Sequence, residues 1–307
     1  MLCLVLFAFY GLASLLLSVA VAMASRAFVR RKPQTSGALL ALRLLPAAGA
    51  ALLVATIVLP AFLADEPRHE IETAGPVLIG FAAIALLMIG DALRRGARAW
   101  ASAAALLRGF DVTERRSARD GRRVDIVDSI EPIVAVIGGW RPRIVAATRV
   151  VAACSREEFV QVIAHEAAHV AARDNLKLLI QVASPDALAW LPAGATLERC
   201  WRSAAEFEAD ERAAGTDRRK RLDLAAALVK VARLAGGANR AARGLAMSVA
   251  VDDVEGRVRR LLAPATIGAR PFSTRVLAVV ALCVPLAAVP LYPAVQRLVE
   301  LLVALGR

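Results

Sequence analysis

Charge is missing from this chain in blocks long enough to cross a lipid bilayer. No Asp, Glu, Lys or Arg occurs from Met1 to Ser25, between Arg43 and Asp65, between Glu72 and Asp91, or between Arg275 and Arg297. About 20 consecutive apolar residues span the hydrocarbon core as a helix, and lipid tolerates no irregular backbone facing it. The blocks therefore predict transmembrane helices at about 2–25, 44–64 and 73–90, and a fourth within 275–297 that Pro285, Pro290 and Pro293 kink. The first block resembles a signal peptide at Ala22-Met23-Ala24. It has no basic start, however, and it is followed by Arg26, Arg30, Arg31 and Lys32, which suits an uncleaved anchor. A hydrophobic share of 58% and a mean hydropathy of +0.56 agree, and they exclude disordered and collagen-like chains. Cys3, Cys154, Cys200 and Cys283 form no close pair, so a disulfide scaffold is excluded as well.

Loop charges give the direction of the spans. Residues 26–32 carry four positive charges and no acid, whereas 65–72 carry Asp65, Glu66, Glu70 and Glu72 against Arg68 alone. From Asp91 to Arg275 there are 31 basic and 22 acidic residues. Lys and Arg stay on the cytoplasmic side of short loops. The expected arrangement is an outside N-terminus, a membrane region over 1–92, a cytosolic domain over 93–274, and a last span with a short tail over 275–307. The net charge of +12 comes from 35 Arg and four Lys spread along the chain with no aromatic-interleaved patch. It reads as membrane topology and solvated helix faces, with no direct nucleic-acid binding expected.

Within the cytosolic segment, residues 93–123 begin as an Arg-rich helix and become a polar linker near Asp120-Gly121. Residues 124–127 and 133–137 have β-branched strand character. Gly138–Pro142 is turn chemistry and 143–146 a returning strand, so a small sheet is expected. Ser155-Arg156-Glu157-Glu158 matches a capping box and starts a helix at 156 that runs to Ala172. Pro185 and Asp186 break the apolar run 178–192, which suits a buried or bilayer-facing hairpin better than a further crossing. Helices follow at roughly 196–214, 221–235 and 252–262. The fold class is thus mainly α: a polytopic membrane protein of about four transmembrane helices, with a zincin-like helical domain carrying a small sheet.

The chemistry concentrates in His165-Glu166-Ala167-Ala168-His169. Histidines at i and i+4 leave one helix face a turn apart, where two imidazoles can converge on one Zn²⁺. Glu166, beside the first histidine, can reach a zinc-bound water whose pKa is brought to about 7, and so serve as general base. With three His and 14 Glu in 307 residues, chance assembly of this pentapeptide is on the order of one in a thousand. A catalytic zinc takes three protein ligands and keeps a position open. His69 lies in the loop on the other side of the membrane, so the third ligand should be a carboxylate from the next long helix. Glu206 and Asp210, at i and i+4, share a face there. Glu206 would ligate, and Asp210 would orient a ligating histidine from behind. Glu198, Glu208 and Glu211 are rivals, and taken alone these acids would read as a solvated face paired with Arg202 and Arg212. An Arg of the cytosolic domain is expected to stabilise the oxyanion if any side chain does, with Arg202 and Arg212 the candidates.

The stretch from about 132 to 262 resembles membrane-embedded gluzincin metallopeptidases of the BlaR/MecR type, the antirepressor family of β-lactam sensing. The matching runs are GGWRPRIVAATRVV, SREEFVQVIAHEAAHVAARDNL and RSAAEFEADERAA. HtpX-type membrane proteases and CAAX prenyl proteases share H-E-x-x-H and E-x-x-x-D, whereas the RDNL extension and three preceding spans favour BlaR/MecR. The resemblance implies Glu206 as third ligand, one zinc per chain, four spans with an outside N-terminus, and a protease loop in the cytosol of a bacterium. It also implies a protein substrate, such as a penicillinase-repressor-type transcription factor. No penicillin-binding domain and no S-x-x-K serine follow the last span before Arg307, so direct β-lactam sensing is not expected. The expected function is a zinc endopeptidase of the plasma membrane with a signalling role. The alternatives are HtpX-like quality control and a non-catalytic sensor or scaffold that keeps zinc for stability.

Overall fold

A computed structural model describes residues 1–30, 35–65, 74–117, 121, 123–129, 131–237, 246–264 and 297. The loop with His69 and the span expected within 275–297, Arg297 apart, lie outside the described residues. The protein is mainly helical with one small sheet, and it divides into two compact units.

The first unit contains Met1–Ala97 and Ile180–Trp201. Among the described residues three helices are long and apolar enough to cross a membrane: Leu2–Val29, Ser36–Leu63 and Pro76–Gly109. The first lies in α1 (Leu2–Arg30). The second begins earlier than the 44 read from charge. The Thr35 side chain accepts from the Ala38 amide and caps α2 (Ser36–Leu53), which continues through a π-helical turn, Val54–Val58, into α3 (Leu59–Asp65). The third is α4 (Pro76–Gly109), which runs through Asp91 and absorbs the Arg-rich stretch as one helix of 34 residues. Val5, Ala8 and Phe9 of α1 pack on Val58, Leu78 and Ala82. A Cβ at Gly11 would stand 2.3 Å from the Phe81 carbonyl, so α1 and α4 approach as closely as only glycine allows. Leu16, Met23, Leu63, Leu86 and Leu87 face outward, which suits lipid.

The broken run after α7 (Asp174–Val182) forms a 3₁₀ turn at Ala187–Trp190 rather than a crossing, and α8 (Pro192–Ala214) follows. Its Asp186 is buried and accepts two hydrogen bonds from Arg43 of α2, at 3.0 and 2.8 Å, and one from Ser184 at 2.6 Å. Arg43 also donates to the Gln181 carbonyl at 3.1 Å, and the Tyr10 hydroxyl donates to the Pro185 carbonyl at 2.8 Å. A buried ion pair is tolerable only when its remaining hydrogen-bonding groups are satisfied in this way.

The second unit contains Arg98–Leu179 and Arg202–Arg270. Its sheet has the order β1-β2-β4-β3, formed by β1 (Val112–Ser117), β2 (Arg123–Val127), β3 (Val134–Ile137) and β4 (Arg143–Ala147). β2 and β4 pair in parallel, and both outer strands pair antiparallel. β1 falls where the sequence reads as a linker. Every side chain of VTERRS is exposed, so β1 buries no face: backbone pairing with β2, the Thr113 hydroxyl on the Ile126 carbonyl and Arg115 against Asp125 hold it, and no alternation betrays it. One face of the sheet, through Val124, Ile126, Ile144 and Ala146, packs on Ile163, Ala167 and Val170 of α6 (Arg156–Ala172). α5 (Thr148–Ala153) precedes α6, while α9 (Arg218–Gly237) and α10 (Ala246–Leu262) complete the unit.

Candidate metal centre

Helix α6 starts at a complete capping box. The Glu158 amide donates to the Ser155 hydroxyl, and the Ser155 amide donates to the Glu158 carboxylate. From that fixed start the helical pitch carries His165 and His169 to the same face, with their Nε2 atoms 3.1 Å apart. The rings meet edge to face at 84°. Helix α8 brings Glu206 against them: Oε2 lies 3.3 Å from His165 Nε2, and Oε1 lies 3.4 Å from His169 Nε2. Atoms at 2.0–2.2 Å from a tetrahedral ion lie roughly 3.3–3.6 Å from one another. Two imidazole nitrogens and a carboxylate at these separations are therefore a donor set that could hold one metal ion.

Each histidine is fixed through its other nitrogen. Asp210, one turn after Glu206, has Oδ1 2.9 Å from His165 Nδ1. Asp174 has Oδ2 2.8 Å from His169 Nδ1, and Lys177 holds its other oxygen at 3.1 Å. A carboxylate accepts, so each Nδ1 donates and each Nε2 faces the centre, the orientation a metal ligand needs. Asp174 reaches His169 because Arg173 adopts the left-handed conformation at φ 56°, ψ 39° and turns the chain directly from α6 into α7.

Charge is dense and buried here. Arg257 of α10 donates to both oxygens of Asp210, at 2.8 and 2.7 Å, and lies 2.8 Å from Glu206 Oε2. Burial by itself would raise the Glu206 and Asp210 carboxyls. The imidazoles and Arg257 outweigh it, and both are held below the usual carboxylate range. Burial disfavours charge on His169, but the hydrogen bonds to Asp174 and Glu206 outweigh it and push the imidazole up to about 10. His165 is raised too, with Asp210 and Glu206 overcoming its desolvation. Glu166 differs from the other acids. Its carboxyl is raised, chiefly by burial and in part by Glu206, although His165, His169 and Arg257 work the other way. Among the described residues none hydrogen-bonds it.

The structure thus brings together His165, Glu166, His169, Glu206 and Asp210. Two of the rivals turn elsewhere: Glu208 pairs with Arg212 at 2.9 Å and Glu211 with Arg260 at 2.8 Å. Arg202 is exposed and Arg212 is engaged with Glu208. The arginine at the centre is Arg257, which the sequence reading overlooked. Its signal was present: Val254, Arg257, Val258 and Leu261 fall at helical spacing, which puts one charge in an apolar stripe. Asp174 is assigned no role from the sequence, although RDNL places it five residues after His169.

No curated protein and no solved structure matches the chain. The family model described as BlaR1 peptidase M56 matches residues 74–261, starting well before the stretch whose motifs carried the resemblance and ending just after Arg257. That match covers α4, the sheet, the H-E-x-x-H helix and the helices bearing Glu206 and Arg257, which is more than half of the protein. The chain therefore belongs to the BlaR1-type M56 family of membrane-associated metallopeptidases.

Proposed function

We propose that the protein is a zinc-dependent endopeptidase of a bacterial plasma membrane, with His165, His169 and Glu206 holding one zinc ion and Glu166 acting as general base. The observation that carries this reading is the convergence of two imidazole nitrogens and the two oxygens of one carboxylate at 3.1–3.4 Å, with a further carboxylate behind each imidazole. A zinc ion held there supplies Lewis acidity that polarises a scissile carbonyl and acidifies water. The Glu166 carboxylate, with no competing hydrogen bond among the described residues, takes the proton from the attacking water and delivers it to the leaving amine. Burial chiefly raises the Glu166 carboxyl above the usual carboxylate range. Asp210 and Asp174 keep both imidazoles oriented throughout the cycle.

The three apolar helices and the distribution of loop charge support a multi-pass protein with its N-terminus outside and the peptidase unit in the cytosol. The family and the RDNL extension support a signalling role, in which the substrate is a cytosolic or membrane-proximal protein such as a penicillinase-repressor-type transcription factor. The test uses the full chain in detergent or nanodiscs with a repressor-type protein as substrate. Cleavage at one defined site should stop on chelation and return with zinc. Glu166→Gln should lose cleavage by about 10²–10⁴-fold while keeping its zinc. Undiminished turnover in Glu166→Gln would remove Glu166 from the reaction, and cleavage at many sites of unfolded proteins would replace signalling by quality control. Trp140, exposed in the turn after β3, should as Trp140→Cys be labelled only once the membrane is made permeable; labelling from outside intact cells would reverse the orientation.

A further inference from the structure

The guanidinium of Arg257 holds more of this site than any other side chain outside the donor set. It is buried. Nη1 lies 2.8 Å from Glu206 Oε2, Nε 2.8 Å from Asp210 Oδ2, and Nη2 2.7 Å from Asp210 Oδ1. Nη2 also stands 3.3 and 3.5 Å from the two ring nitrogens of His165. One planar group thus touches the third donor, the acid that orients the first donor, and the first donor itself. We infer that Arg257 is a positioning residue for the proposed metal site. It fixes the Glu206 and Asp210 carboxylates relative to each other and to His165. This rests on the zinc reading above.

Two arguments carry it. The first is geometric. Glu206 and Asp210 are one turn apart on α8, and a lysine could satisfy only one direction at a time. An arginine fork reaches both, with a bidentate pair on Asp210 and a third nitrogen on Glu206. By occupying a lone pair of Glu206 Oε2, it leaves Oε1 facing His169. The second is electrostatic. Four carboxylates (Glu166, Asp174, Glu206 and Asp210) crowd around two imidazoles, and the side-chain cations paired with them are Arg257 and Lys177. With a divalent ion the charges sum to zero. Without Arg257 the buried Asp210 carboxylate loses both guanidinium contacts and Glu206 loses one, and unpaired like charges in a desolvated place turn away from each other. Arg257 arrives on α10, far along the chain from α8, so correct seating of that helix becomes a condition for a well-formed site.

The experiment measures zinc affinity of the full-length protein by competition with a chromogenic chelator, alongside melting of the metal-free form and steady-state cleavage. Arg257→Gln should bind zinc about 10–100-fold more weakly, the usual effect of removing a group that orients ligands. It should lower kcat with KM little changed. Arg257→Lys, which keeps charge and loses the fork, should fall between Gln and wild type. It also serves where the Gln variant does not fold. If Arg257 works through Asp210, Asp210→Asn combined with Arg257→Gln should cost less than the product of the single losses. A folded Arg257→Gln or Arg257→Lys protein with wild-type zinc affinity overturns the inference and leaves Arg257 as a staple between α8 and α10. Absence of zinc from wild type, or its full retention in Glu206→Ala, overturns the metal reading itself.

Discussion

Asp174 shows how much of this site depends on residues that bind nothing themselves. Its carboxylate takes the His169 Nδ1 proton at 2.8 Å and is steadied by Lys177, so the opposite nitrogen faces Glu206. An asparagine keeps the shape but offers a weaker, uncharged acceptor. Asp174→Asn is predicted to weaken zinc binding about 10–100-fold with little change in fold, read by chelator competition and circular dichroism; unchanged affinity would show that the helix alone orients His169. At this scale the sequence was most informative where chemistry is local. Two histidines four residues apart and a carboxylate pair at the same spacing follow from helical pitch alone. Arg257 and Asp174 were harder to see because their roles depend on a helix arriving from a distant part of the chain and on a left-handed turn at Arg173.

Among the elements, α6 is the one whose placement fixes the two imidazoles of the proposed metal site, and its register is set by its first turn. Ser155→Ala removes the hydroxyl that accepts the Glu158 amide and is predicted to cost about 1 kcal/mol, measured by denaturant titration of the full chain. Burial would raise the Glu158 carboxyl, but Lys230, 2.7 Å away, and the Ser155 amide outweigh it and hold it below the usual range. A lowered folded pKa makes the contribution fully present above the unfolded value of about 4.3 and lost as the pH falls through the folded one. Wild type should therefore lose more stability than Glu158→Gln on acidification from about pH 5 to pH 3; equal losses would exclude the pair as a source of stability. Capping chemistry announced this helix start in the sequence, and β-branched character with turn chemistry announced β2, β3 and β4. β1 escaped notice because an exposed strand made of VTERRS has no buried face to leave a pattern.

At the scale of the molecule, hydropathy located the three described helices that are long and apolar enough to cross a membrane, yet it blurred their ends. Thr35 starts α2 well before the last charge of that region, and Arg43 lies inside the helix, buried against Asp186. That pair could not be read from sequence, since the partners are 143 residues apart. Asp186→Ala, which leaves Arg43 without its counter-charge, is predicted to destabilise the protein by about 3–5 kcal/mol, and replacing both by leucine should recover most of it, as read by melting in detergent; a mild single-variant loss would mean that water reaches Arg43. The account as a whole stands on the donor set. Zinc-edge X-ray absorption on the purified full-length protein tests it most directly. The account predicts one zinc per chain, with nitrogen and oxygen neighbours at about 2.0–2.2 Å and the outer scattering of two imidazoles. Sulfur neighbours, a single imidazole, or no bound zinc would contradict it.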